Sequence, residues 1–219
     1  MCMSICNAKI GVGNYYSTVT GCESTAESAD IVLKKHDLKP EVRLSVVDCD
    51  GAVELSDNLT VRFKMWVSCR LKTTISATDS TFALADNVGF DQIAVGDSIF
   101  LDHPRQPEQM TITGFDEAAK TIHVLRAQAG TSANAFAKGS SLKIMRISTG
   151  VGFVDVKREK QLSEEGIQQD ILVSTELVYN WNYCDTDFSG RYEAEFILIH
   201  EGDRIQALPR ERNLVIDVL

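Results

Sequence analysis

Thr60-Val61-Arg62-Phe63-Lys64-Met65-Trp66-Val67 decides the fold class. In an extended chain Val61, Phe63, Met65 and Val67 share one face, and Thr60, Arg62, Lys64 and Trp66 share the other. This period of two marks a strand with one side on a core. Upstream, Val42, Leu44 and Val46 alternate with Arg43, Ser45 and Val47, and Asp48-Cys49-Asp50-Gly51 follows as a turn, Gly51 tolerating positive φ. The two runs are expected to pair with one another. Downstream, Leu177, Tyr179 and Trp181 share a face, and Tyr192, Ala194, Phe196 and Leu198 stand opposite Arg191, Glu193, Glu195 and Ile197. Leu214, Ile216 and Val218 start a last strand, and Pro40 and Pro209 lie at the borders of the runs, where a missing N–H does least harm. Short strands separated by turns favour an all-β sandwich.

The middle of the chain reads as a separate unit. Thr81 to Ala85, Asp97 to Asp102, Met110 to Thr113, Thr121 to Leu125 and Ser141 to Ile147 are expected as short strands, with Gly114 to Lys120 as a hairpin turn. The ends of this unit fall between two strands of the flanking pattern, as in an insertion, which costs little because loop-closure entropy grows slowly with length. Three parts result: an extended N-terminal arm at 1–29, a sandwich built from 30–71 and 148–219, and an inserted small β domain at 72–147. The arm has few charges (Lys9, Glu23, Glu27) and several turn formers, and a partner surface is expected to hold it. The one stretch that reads as helical is Leu162 to Val173, with Ser163 as N-cap and Glu164 and Glu165 in the first turn.

A formal charge of −9 provides no basic footprint, so neither nucleic acid nor an anionic membrane is an expected partner. No apolar run approaches a membrane span, and the start lacks the charged-then-apolar order of an export signal. No cofactor is expected. The six cysteines (Cys2, Cys6, Cys22, Cys49, Cys69, Cys184) show no metal-ligand spacing. One reading makes them reduced, buried small hydrophobes. The other has Cys2, Cys6 and Cys22 reach a neighbouring subunit and form disulfides after release from the cell.

Signs of catalysis are lacking. His36, His103, His123 and His200 are scattered, no nucleophile elbow or phosphate loop occurs, and Gly11-Val12-Gly13 lacks the third glycine of a dinucleotide site. Asp185-x-Asp187-x-x-Gly190 and Asp48-x-Asp50-Gly51 lack the further acids of a calcium loop and read as turns. Asn58-Leu59-Thr60 fits a glycosylation sequon but reads as a hairpin polar group. Trp181, in phase with Leu177 and Tyr179, belongs to the core. Trp66, opposite Phe63 and Met65, is the interface candidate, since aromatic anchors dominate binding hot spots.

The stretches Leu177-Val178-Tyr179-Asn180-Trp181 and Asp185-Thr186-Asp187-Phe188-Ser189-Gly190-Arg191-Tyr192-Glu193-Ala194-Glu195-Phe196, followed by Pro209 and Val215-Ile216, resemble the N-terminal immunoglobulin-like module of siphophage baseplate upper proteins. Val42 to Asp48 with Asp50-Gly51 match that module's early strand and acidic-Gly hairpin. Independently, Asp187, Gly190 and Tyr192 sit as in a tyrosine corner, whose phenol bonds upstream backbone, while Ala194 takes the place of the antibody-type cysteine. The middle unit resembles a small β module of phage tail and other virion proteins through Val95-Gly96-Asp97, Glu108-Gln109-Met110, Thr113-Gly114, Val124-Leu125-Arg126, Gly130-Thr131 and Ala133 to Gly139. That module's pattern has Gly after the arginine and His in the Ala-rich stretch, where this chain has Ala127 and Phe136.

These resemblances imply an immunoglobulin-like β-sandwich with an inserted barrel-like domain, serving as a non-enzymatic structural part of a tailed-phage virion, assembled in the host cytoplasm. Tail, baseplate or neck is the expected position, with copies of itself and other virion proteins as partners and attachment of fibres or spikes as a further role. The alternatives are a capsid decoration protein and a carbohydrate- or receptor-binding module.

Overall fold

A computed structural model of the chain describes residues 7–12, 15–18, 29–48, 51–56, 58–85, 90–101, 107–164, 166–209 and 212–219. Among them every regular element is a strand except one 3-10 turn, Phe90–Gln92. In chain order the strands are β1 (Asn7–Val12), β2 (Tyr15–Thr18), β3 (Ile31–Leu33), β4 (Val42–Asp48), β5 (Gly51–Ala52), β6 (Thr60–Leu71), β7 (Thr81–Ala85) and β8 (Ser98–Leu101). They continue with β9 (Glu108–Asp116), β10 (Thr121–Gln128), β11 (Ser141–Leu162), β12 (Gln168–Tyr179), β13 (Gly190–His200), β14 (Arg204–Leu208) and β15 (Leu214–Val218). The protein is all-β.

Two layers form the sandwich. One runs β2-β1-β4-β12 and ends on the distal half of β11; the other runs from the proximal half of β11 through β6, β13 and β15 to β3. Between them lies one core, with Leu44 and Val46 of β4 and Leu177 and Tyr179 of β12 on one side, and Phe63, Phe196 and Ile216 on the other. Phe63 stacks on Tyr179 at 4.3 Å between ring centroids, and Trp181 meets both rings edge-on.

The expected pairing of β4 with β6 is therefore corrected. Both runs bury their alternating apolar face, but they do so across the core from opposite sheets, and β4 pairs with the two-residue β5, which is next in chain order. Alternation specifies which face is buried and is silent on which strand lies beside it. The described backbone of the N-terminal arm is likewise not free: β1 pairs with both β2 and β4, adding a hairpin to this chain's own sheet.

The middle unit closes on itself. The pairings β6–β7, β7–β10, β10–β9, β9–β8, β8–β11 and β11–β6 form a ring of six strands, a small barrel. It has its own core, including Leu71, Phe82, Ile99, Met110, Ile122, Phe136 and Ile144. Closure removes the exposed edges that an open sheet would present.

No linker separates the two bodies. β6 contributes Val61 to Val67 to the sandwich core and Cys69 and Leu71 to the barrel core, and β11 places Leu142 and Ile144 in the barrel and Ile147 in the sandwich. β11 then passes from one sheet to the other at Gly150-Val151-Gly152. A Cβ on Gly150 would stand 2.6 Å from the Tyr179 ring, and one on Gly152 would stand 3.0 Å from the Val178 carbonyl oxygen. Only a strand without side chains crosses so close to its neighbours.

Leu162 to Val173, expected as a helix, is the tip of a β-hairpin. β11 and β12 pair from Phe153↔Val178 out to Leu162↔Gln168, and the turn is closed by the amide of Gly166 donating to the Ser163 carbonyl. Ser163, read as an N-cap, instead accepts the Ile167 amide at its hydroxyl, and Gly166 takes φ +76° in the loop.

Candidate interaction surfaces

Trp66, expected as an exposed interface anchor, is fully buried. Met65, Trp66 and Val67 are buried in succession because both faces of β6 are covered where the sandwich passes into the barrel. Its indole donates to the Ser68 hydroxyl at 3.1 Å, and the Lys143 ammonium lies 3.9 Å from its ring centroid. Trp66 is a packing residue of this chain. Cys2, Cys6 and Cys22 lie outside the described residues, as does Cys49. Cys69 is buried with its thiol 3.1 Å from the Ala85 carbonyl, and Cys184 is exposed.

Motif residues of the middle unit turn out to be its internal fasteners. Glu108 of β9 is buried, and Arg126 of β10 grips it with two bonds of 2.7 Å. The amides of Ala127 and Asn134 donate to the same carboxylate, and Arg126 donates onward to the carbonyls of Ser76, Asp79 and Asn134. Burial pushes the Glu108 carboxyl upward, but the Arg126 bonds and the two amides outweigh it and hold it below the ordinary value. Gly96 takes positive φ, and the Asp97 carboxylate accepts the Ala94 amide at 2.8 Å and faces Arg146 at 3.5 Å. Burial raises the Asp97 carboxyl despite these partners. Ala127 adopts φ +57°, and Phe136 is buried in the barrel core.

The carboxylates of the calcium-like stretch are occupied within the chain. Asp185 accepts the Tyr179 phenol and the Asn182 amide, each at 2.7 Å, and Asp187 stands 3.0 Å from His36 Nδ1. Tyr192 donates to the Phe188 carbonyl at 2.8 Å, the upstream bond expected of a tyrosine corner. Among the described residues no group of three metal-ligating side chains converges.

Two open clefts flank the junction. One, of about 770 Å³, is lined by Arg70, Lys143, Glu193 and Arg212, among others; Arg212 is held by Asp30 and Glu193 by Asn213. The other, of about 600 Å³, is lined by Phe90, Phe115 and Phe188 with Asp91 and Glu117. The Arg146 guanidinium covers the Phe188 ring at 4.2 Å.

Among the described residues, the β11–β12 hairpin leaves the body of the molecule. At its root, Arg43 of β4 binds Asp155 of β11 at 2.8 Å and Glu176 of β12 at 2.7 Å, with Glu41 as a third partner, and Arg158 pairs with Glu54. These bonds orient the ribbon where it departs. Val156 to Leu162 is exposed throughout, Arg158 included, about 20 Å at the usual rise of a strand. Leu162 is 69 % exposed, Ile167 57 % and Val173 47 %, with Ile171 also open. The contact of β11 with β6 ends at Gly152↔Val61, and that of β12 with β4 begins at Glu176↔Ser45. Among the described residues nothing pairs with the outer edges of the ribbon. The helical reading hid this hairpin; the clue in the sequence was Gly166, a poor helix residue but a good loop residue at positive φ.

No family model matches the chain, and no curated protein matches it.

Proposed function

We propose that the chain is a structural component of a tailed-bacteriophage virion, placed in the tail, baseplate or neck, whose sandwich and barrel hold neighbouring subunits in position. Its work is mechanical and its partners are copies of itself and other virion proteins. The observation that carries this reading is the build of the molecule: two β bodies share continuous strands, and a hairpin anchored by Arg43 projects from one of them. Such a body transmits orientation from one contact to another, because no flexible linker absorbs it. The resemblances of the two flanks and of the insert to virion modules support the same role. The sandwich is proposed to be of the immunoglobulin-like kind, on the strength of the quoted stretches and the Tyr192–Phe188 bond.

The test is immunogold labelling of purified particles with an antibody raised against this chain. Label on the tail, baseplate or neck is the expected result. Label on the head would replace the reading with capsid decoration, and absence of the chain from particles would overturn it. A second reading, a carbohydrate- or receptor-binding module, draws on the cleft lined by Phe90, Phe115 and Phe188 with two carboxylates, since aromatic faces and acids together suit sugar rings. Saturable binding on a glycan array, lost in Phe115→Ala, would favour it, and a flat array would dismiss it.

A further inference from the structure

We propose that the β11–β12 hairpin is a self-assembly edge, in which the basic outer edge of β11 in one copy hydrogen-bonds to the acidic outer edge of β12 in the next, head to tail. This inference deepens the assembly role proposed above and rests on that reading for its biological setting. Its physical basis is independent of it.

Beyond its root, the ribbon has, among the described residues, no strand paired to its outer edges over 156–162 and 168–173. Proteins guard such edges with charge, and here the guard is asymmetric. The distal part of β11 carries Lys157 and Lys160 against one acid, Glu159, while Arg158 is engaged by Glu54. The turn and β12 carry Glu164 and Asp170 with no cation from Ser163 to Tyr179. A two-fold pairing of β11 with β11 would oppose cation to cation, whereas β11 against β12 of another copy opposes unlike charges.

Register agrees with the charge pattern. Lys160 and Asp170 are direct partners inside the hairpin, so they lie at the same depth along it. When neighbouring hairpins stand at equal depth, Lys160 of one meets Asp170 of the next, and the antiparallel alternation continues unbroken. The same contact covers Ile171 and Val173, which are open in the single chain. It also supplies the third strand that a two-stranded ribbon in water lacks, since such a ribbon alone is of marginal stability. A head-to-tail contact of this kind closes into a ring when its rotation permits and otherwise grows as a filament.

The experiment uses the full chain and two charge reversals at exposed positions, Lys160→Glu and Asp170→Lys, with circular dichroism to verify that each retains its fold. Native mass spectrometry and light scattering over a concentration series are expected to show oligomers larger than a dimer for the natural chain, weakened by added salt. Each variant alone is expected to associate about tenfold or more weakly, because like charges then face across the contact. Mixing the two variants is expected to restore assembly, since the carboxylate introduced in one then meets the ammonium introduced in the other. A natural chain that stays monomeric, a two-fold dimer as the sole oligomer, variants that assemble like the natural chain, or a mixture that stays apart would each overturn the proposal. The assembly role itself would survive any of these results if the chain is found in particles, so the two failures are distinguishable.

Discussion

Replacing Glu108 by glutamine should unfold the barrel more readily than its small chemical change suggests. Glu108 is buried, and all its close polar neighbours are donors: two guanidinium nitrogens of Arg126 at 2.7 Å and the amides of Ala127 and Asn134 at 3.1 and 3.0 Å. Glutamine turns one acceptor oxygen into an NH₂ group that faces donors, and it leaves Arg126, itself largely buried, without its paired carboxylate. Removing one member of a buried, hydrogen-bonded ion pair costs about 3–5 kcal/mol. For a chain of this size that corresponds to a fall in Tm of roughly 10 °C. Differential scanning calorimetry at neutral pH measures it. The companion double variant, Glu108→Met with Arg126→Leu, removes both charges at once, and the Ser76 and Asp79 carbonyls that Arg126 leaves lie toward solvent. Because it also strands the Ala127 and Asn134 amides and the Asn134 carbonyl, it should cost less than the sum of the two single variants rather than nothing. A Glu108→Gln protein within about 1 kcal/mol of the natural chain, or a double variant that costs the sum of the two singles, would refute the reasoning.

Ala127→Gly should stabilise the protein by about 1 kcal/mol, because alanine is held at φ +57° where glycine carries no Cβ penalty; a lower urea midpoint for the variant would count against this. Gly152→Ala should destabilise by about 1–3 kcal/mol, since the new methyl meets Val61 and the Val178 carbonyl oxygen where β11 changes sheets, and unchanged stability would show that the crossing is looser than described. The carboxyl of Glu41 is held down to about 2 by hydrogen bonds from Lys39 and Arg43 against its ordinary 4.5. A depressed acid stabilises the fold fully above 4.5 and loses that contribution as pH falls through about 2, so Glu41→Gln should flatten the dependence of stability on pH across this window, as read by chemical denaturation at stepped pH. An unchanged slope would remove Glu41 from the account.

Period-two alternation was enough to read the all-β class, because burial of one strand face is a local property of Val61 to Val67, Val42 to Val46 and Tyr192 to Leu198. Neighbour relations were not local. β4 and β6 carry the same pattern and lie in opposite sheets, and their separation depends on β12 and β13, far along the chain. Trp66 illustrates a second limit: alternation places it outward, and the junction with the barrel covers that side. The hairpin was obscured because Leu162 to Val173 lacks clean alternation. A bulge between Lys157 and Arg158 leaves Val173 unpaired and shifts the phase, and the exposed tip has no core to impose a period. Glu108 and Arg126 were visible as motif residues, but their role as a buried ion pair required the barrel to bring β9 and β10 together.

The most direct measurement is a particle reconstruction at a resolution that traces this chain in place. The account predicts that the chain lies in the tail, baseplate or neck, with residues 157–162 or 168–174 hydrogen-bonded to a strand of another subunit. A map in which the chain is present but that hairpin stands in solvent on every copy, touching no neighbour, would contradict it.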